Sequence, residues 1–180
     1  EKLTAVEKPD LRELLGNVVP ALVQNYQGSG EKKKAMSVID RVEKALGAAA
    51  QDQQIEGYLE QMRGELNKPA VGEALPISFT ATDGTEVDLS KMEGKVVLVD
   101  FWATWCGPCI AEMPNVIAAY NKYKGQGFDV IGISLDQDKN RLDSYTKSEN
   151  MPWPQYFDGK GWANTIAKQF GIGSIPATFL

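Results

Sequence analysis

The sequence predicts an α/β domain with a central mixed, mostly parallel sheet flanked by helices, preceded by an all-helical module. Three observations carry that prediction. Apolar residues recur at three-four spacing through residues 1–68. Beyond residue 76, β-rich runs alternate with helical ones. A short Pro- and Gly-containing stretch, residues 67–76, separates the two textures. Helical stripes that each bury one face need partners, and strands alternating with helices favour a parallel sheet.

The helical module spans residues 1–68, and its first stripe is Leu11, Leu14, Leu15, Val18, Val19, Leu22 and Val23. Asp10 with Glu13 three residues on suits a helix start, and Pro9 stands just outside. Pro20 falls within the stripe and is expected to kink or split the helix. Gly28-Ser29-Gly30 reads as a turn. A second stripe follows at Ala35, Val38, Ile39, Val42 and Leu46, and a third at Ile55, Tyr58, Leu59, Met62 and Leu66. A three-helix module is expected. Lys32-Lys33-Lys34 reads as a solvated face rather than a binding site.

The second domain is expected over residues 69–180. Ile77 to Ala81 alternates like a half-buried strand, Asp83-Gly84 marks a hairpin turn, and Thr85 to Leu89 alternates again. Lys95 to Phe101 is apolar enough for a central strand buried on both faces. Helical spacing follows over 107–123, a buried strand over Phe128 to Leu135, then helices near 138–149 and 162–170. Met151-Pro-Trp-Pro154 reads as a loop, and Ile175 to Leu180 starts a last strand.

Composition narrows the function. Charged residues are 24% and hydrophobic residues 43% of 180, a globular balance. No apolar run approaches the roughly 20 residues of a membrane span. A net charge of −5 is the wrong sign for a general nucleic-acid binder. The chain opens on polar residues rather than on a leader of signal-peptide type. There is no His, so the usual imidazole base and commonest metal ligand are missing.

Both cysteines of the chain lie in Trp105-Cys106-Gly107-Pro108-Cys109, after a buried strand and at the start of a helix. A helix N-terminus carries unpaired N–H groups and about half a positive charge, which favours a thiolate there. Cys106 is therefore expected to be the exposed, attacking sulfur. Cys109, one turn in and more buried, would resolve the mixed disulfide. Gly107 permits close backbone approach, and Pro108 sits in the first turn, where its missing N–H is harmless. Competing readings fit worse. A zinc site needs about four ligands, and neither His nor a second Cys pair is present. A c-type haem site needs His where Ile110 stands. A purely structural disulfide over so short a loop restrains the unfolded chain little.

The run Val99-Asp100-Phe101-Trp102-Ala103-Thr104-Trp105-Cys106-Gly107-Pro108-Cys109 resembles the active-site strand and turn of thioredoxins. The lead-in from Gly72 to Lys95, and Cys109-Ile110-Ala111-Glu112-Met113-Pro114, resemble the TlpA/ResA-like branch of thiol-disulfide oxidoreductases. The resemblance covers residues 72–180 and leaves out the helical module. It implies a thioredoxin-like fold in which Asp100, nine residues before Cys109, accepts a proton and so helps Cys109 attack. The alternative is a hydrogen-bonded core Asp or one at a strand edge. Glu112 resembles the active-site-proximal Glu of ResA-like proteins; the alternative is a solvated surface Glu. Ser174-Ile175-Pro176-Ala177-Thr178 resembles the cis-proline loop, which implies that Pro176 is cis and faces the turn and that Ile175 offers backbone to a substrate strand. Trp105, Gly107 and Pro108 complete the implied substrate surface, Trp102 is part packing, and Pro114 resembles the helix kink of the family.

Two departures stand out. The branch often has a neutral residue where Asp100 stands, and the Lys that partners this Asp in thioredoxins has no match near Gly132. Thioredoxin-like folds continue past the cis-proline strand into a further strand and helix, which are expected to be absent from a sequence ending at Leu180.

The resemblance implies a disulfide reductase with a disulfide-bearing protein substrate, an upstream dithiol electron donor, and no cofactor or metal beyond its own dithiol. It also implies a bacterial, extracytoplasmic or periplasmic setting, tethered to a membrane through a segment outside this sequence; a cytoplasmic setting is the alternative. A disulfide-forming oxidant, a thiol peroxidase and a non-enzymatic binding module are the rival functions. The peroxidase pattern Pro-x-x-x-Thr-x-x-Cys fails at both cysteines, where Ala103 and Cys106 stand at the Thr position.

Overall fold

The computed structural model describes residues 13–68 and 73–180. Pro9, Asp10 and Leu11 of the expected helix start, and Pro69 to Gly72 of the expected linker, lie outside the described residues. The chain divides into two compact units between Leu66 and Asn67.

In the first unit, a π-helical turn at Leu14–Val18 runs into α1 (Val19–Gly28), followed by α2 (Lys32–Leu46) and α3 (Gln53–Asn67). Pro20 falls at the start of α1, where its missing N–H is tolerated, so the expected split is a change of helix type. Gly30 takes a positive φ of 75° in the turn that follows, a conformation glycine adopts without steric cost. The core is narrower than the stripes suggest. Val19, Val23, Ala35, Ile39, Leu59 and Leu66 are buried, whereas Val18 and Leu22 are exposed. Tyr58 Oη donates to the Leu15 carbonyl at 2.8 Å, and Arg63 on α3 pairs with Asp40 and Glu43 on α2.

The second unit opens with β1 (Ser78–Thr80) and β2 (Glu86–Asp88), an antiparallel hairpin forming its own two-stranded sheet. The main sheet holds β3 (Val96–Trp102), β4 (Phe128–Ser134), β5 (Gln155–Phe157) and β6 (Ala177–Phe179) in the order β5-β4-β3-β6. The first three strands in that order run parallel, and β6 is antiparallel to β3. Helices α4 (Gly107–Tyr123), α5 (Lys139–Ser148) and α6 (Thr165–Gln169) connect them. Phe101, Trp102, Ile131, Ile133, Leu135, Leu142 and Phe170 are fully enclosed in the core.

Two expectations need correction. Burial of β3 on both faces holds only towards its carboxyl end, since Val96 is 53% exposed while Val99 to Trp102 are buried. β5 stands where the sequence predicts no strand, because three residues led by a polar Gln show no period-two pattern. Pro114 lies within α4, which continues through it.

Local capping sets where the helices start. Asp138 Oδ1 accepts from the amides of Asn140 and Arg141 to open α5. Asn164, fully buried, accepts from the amides of Ile166 and Ala167 to open α6 and donates Nδ2 to the Ser134 carbonyl at the end of β4. Replacing it removes a cap and strands a buried carbonyl together. Asn164→Ala is expected to destabilise this unit by about 2–3 kcal/mol, read as a lower urea midpoint at unchanged slope.

Candidate active site

Parallel strands converge their carboxyl ends on one edge of the sheet, where α/β proteins place reactive groups. β3 delivers Ala103 to Cys106 to that edge, and α4 starts at once with Gly107. The loop between them is anchored from below. Asp136, buried just beyond β4, accepts from the Thr104 amide at 3.0 Å, from Thr104 Oγ1 at 2.6 Å and from Ser134 Oγ at 2.8 Å. Thr104 lies in the active-site run, but no sequence signal marks its partners Ser134 and Asp136.

Cys106 caps α4. Its backbone is extended (φ −87°, ψ 100°), and its sulfur accepts the Cys109 amide at 3.2 Å. The two cysteines form a disulfide across a Cα–Cα distance of 5.3 Å. The expected exposure contrast is small, because Cys106 is 5% and Cys109 2% exposed. Cys106 is therefore a covered sulfur with an open rim, not an exposed one. Its Sγ lies 3.7 Å from the Ile175 carbonyl oxygen. Trp105, Gly107 and Pro108 around it are exposed.

The Ile175–Pro176 peptide bond is cis. That loop leads into β6, which pairs Thr178 with Asp100 and Ala177 with Phe101 on β3. The sheet thus brings Ile175 and Pro176 to the turn from a point almost 70 residues later in the chain. Trp105 also has a neighbour the sequence did not indicate. The Trp162 ring, 49% exposed, lies 5.8 Å from the Trp105 ring between centroids.

Asp100 sits within β3 at 5% exposure. Burial, reinforced by the negative charge of Glu112, pushes its carboxyl up to about 6. Glu112 is exposed on α4 and accepts from Asn115 Nδ2 at 3.1 Å. Asp100 pairs in register with Gly132 on β4, so β4 brings no side chain to that place. No group of three or more His, Cys, Asp or Glu suited to a metal ion occurs among the described residues.

Residues 70–180 match the Redoxin family. The chain belongs to the Redoxin family. Within that family it is similar to the thiol-disulfide oxidoreductase ResA of Oceanobacillus iheyensis, 37% identical over 97 residues, which is 54% of this chain and 49% of that protein. The ResA of Bacillus thuringiensis is 33% identical over 115 residues, 63% of this chain and 64% of that protein. The match therefore spans 49% to 64% of these relatives' length. Among solved structures, the thioredoxin domain of a thiol-disulfide oxidoreductase from Bacteroides vulgatus superposes with a TM-score of 0.54 at 28% identity, covering 62% of this chain and 80% of that one. This Redoxin is a TlpA/ResA-like thioredoxin-fold protein carrying an N-terminal helical segment that the family match does not reach.

The raised Asp100 carboxyl has a stability consequence. Its folded value near 6 lies above the ordinary 3.8, so between those pH values the unfolded chain gives up the proton first. Stability from the neutral carboxyl is complete below about pH 4 and is lost as pH rises through about 6. Asp100→Asn stays neutral throughout. In the oxidised protein it is expected to match the parent at pH 4 and to exceed it at pH 8 by on the order of 3 kcal/mol, measured by urea unfolding.

Proposed function

We propose that this protein reduces disulfides in other proteins through the Cys106–Cys109 dithiol. The observation that carries the reading is the sulfur of Cys106 at the N-cap of α4, holding the Cys109 amide and facing the cis-proline loop. Amide donors and the helix dipole at that point favour a thiolate over a thiol.

On this reading Cys106 S⁻ attacks one sulfur of the substrate disulfide, and the other leaves as a thiolate with the electron pair. A mixed disulfide on Cys106 results. Asp100 then takes the proton of the Cys109 thiol, and Cys109 S⁻ attacks Cys106 Sγ. The bond from Cys106 to the substrate breaks, and its electron pair leaves on the second substrate sulfur, which takes up a proton. The substrate gains two electrons and the enzyme ends as the disulfide. A buried carboxylate with its value near neutrality suits both taking and returning a proton at physiological pH.

Glu112 raises Asp100 by like-charge repulsion and so tunes the proton acceptor rather than touching the substrate. Trp105, Gly107, Pro108, Ile175 and Pro176 form the surface on which a substrate segment lies, with the half-buried Ile175 offering its carbonyl. Electrons return from an upstream dithiol protein, and no further cofactor takes part. The extracytoplasmic setting of the TlpA/ResA-like branch is the proposed location. Among the described residues no helix is long and apolar enough to cross a membrane. Reduction is favoured over oxidation by the Gly107-Pro108 pair and Ile175, which resemble those of reducing members.

The order of attack is tested by trapping. With a disulfide-bearing protein substrate, Cys109→Ser is expected to accumulate a mixed disulfide through Cys106, visible as a mass-shifted adduct cleared by dithiothreitol. Cys106→Ser is expected to form none. Equal trapping by both variants would reverse or abolish the assigned roles.

A further inference from the structure

The rung of the sheet that holds Asp100 contains a second buried polar group. Asp100 on β3 pairs with Gly132 on β4, and Gly132 pairs with Gln155 on β5. Residues paired across neighbouring strands project to the same face. The Asp100 and Gln155 side chains therefore flank a position that has no side chain.

Gln155 lies over that position. A Cβ built on Gly132 would come within 2.0 Å of Gln155 Oε1 and 2.8 Å of its Nε2. The amide thus covers the bare backbone midway between β5 and β3. Its orientation is fixed, because Trp102 Nε1 can only donate and gives its hydrogen to Gln155 Oε1 at 3.0 Å. Among the described residues Nε2 is the buried side-chain polar atom without a hydrogen-bond partner. Gln155 is 4% exposed. A buried amide in that state is costly unless it acquires an acceptor.

Trp102 sits two residues after Asp100 on β3, so both side chains point to the same face. The Gln155 amide that meets Trp102 therefore also stands one strand spacing, about 4.8 Å, from the Asp100 position. One water closes a gap of that size. We infer that Gln155 is a positioning residue for Asp100, its Nε2 donating to the carboxylate when Asp100 is charged. It takes from β5 the place that a side chain on β4 would otherwise fill.

The other groups around Asp100 leave this role open. α4 brings Glu112, whose charge opposes ionisation, and the two cysteines, joined to each other. β4 brings only a glycine, and β6 brings the uncharged Thr178. α5 brings Tyr145 against the Trp102 ring. Gln155 Nε2 is the donor that stabilises the charged form. Its consequence for resolution by Cys109 rests on the function proposed above, whereas its effect on Asp100 does not.

The test is the titration midpoint of Asp100 in the oxidised protein, followed by carboxyl infrared absorption with Asp100→Asn as the assignment control. It needs no substrate, so it reads the inference even if disulfide exchange fails. Gln155→Met removes the donor, and the midpoint is expected to rise by about one unit. Gly132→Ala pushes the amide aside while keeping every hydrogen-bonding group, and is expected to raise it likewise. Trp102→Phe removes the hydrogen bond that orients the amide but leaves Nε2, and is expected to raise the midpoint by less than Gln155→Met does. An unchanged midpoint in Gln155→Met, or an equal rise in Trp102→Phe, would overturn the inference. If Gln155→Met does not fold, Gly132→Ala decides by the same criterion.

Discussion

The amide of Cys109 held on the sulfur of Cys106 is the contact on which the working end of this protein depends. It exists only because α4 begins at Gly107, directly after an extended Cys106. That start is dictated by β3, whose buried carboxyl end fixes the direction in which the chain leaves the sheet. The loop between them is held on Asp136, which Ser134 at the end of the next strand braces. The cis-proline loop then arrives through β6, which is antiparallel to β3 and pairs with its buried residues Val99, Asp100 and Phe101. Position, donor and rim around one sulfur thus come from three strands and one helix.

Beneath that sulfur pair the sheet carries an unusual cost. A carboxylate in an apolar strand is expelled from its charged form by burial, and nearby Glu112 strengthens the effect. The facing position on β4 offers no cation in return, because Gly132 occupies it. A polar rung of Asp100, Gly132 and Gln155 crosses a sheet whose neighbouring residues Trp102, Ile131 and Ile133 are fully buried. Stability lost at such a place is consistent with proton handling, since perturbed carboxylates gather at reactive sites.

Much of this was legible in the sequence, for identifiable reasons. The two cysteines were decisive because strand, turn and helix signals surround them within a few residues. Asp100 stood out as a charge inside an apolar run, and the hairpin at Asp83-Gly84 announced itself by turn chemistry. The hidden parts share a different property, long sequence separation. Gln155 reaches Trp102 across 53 residues, and Asp136 reaches Thr104 across 32. The tilted contact of Trp162 with Trp105 and the small exposure of Cys106 also depend on tertiary closure. A three-residue strand such as β5 is too short for periodicity to reveal. In the helical unit the stripes were visible, but which members would be buried was not, as Val18 and Leu22 illustrate.

The central claim is that Cys106 and Cys109 form a reversible couple poised to reduce. Its most direct test is the reduction potential of that couple, equilibrated in a defined thiol–disulfide buffer. A value near about −270 mV, that of thioredoxin, is the predicted result and marks a reductant that needs a steady electron supply. A value near about −120 mV would mark a disulfide donor and contradict the direction of transfer proposed here.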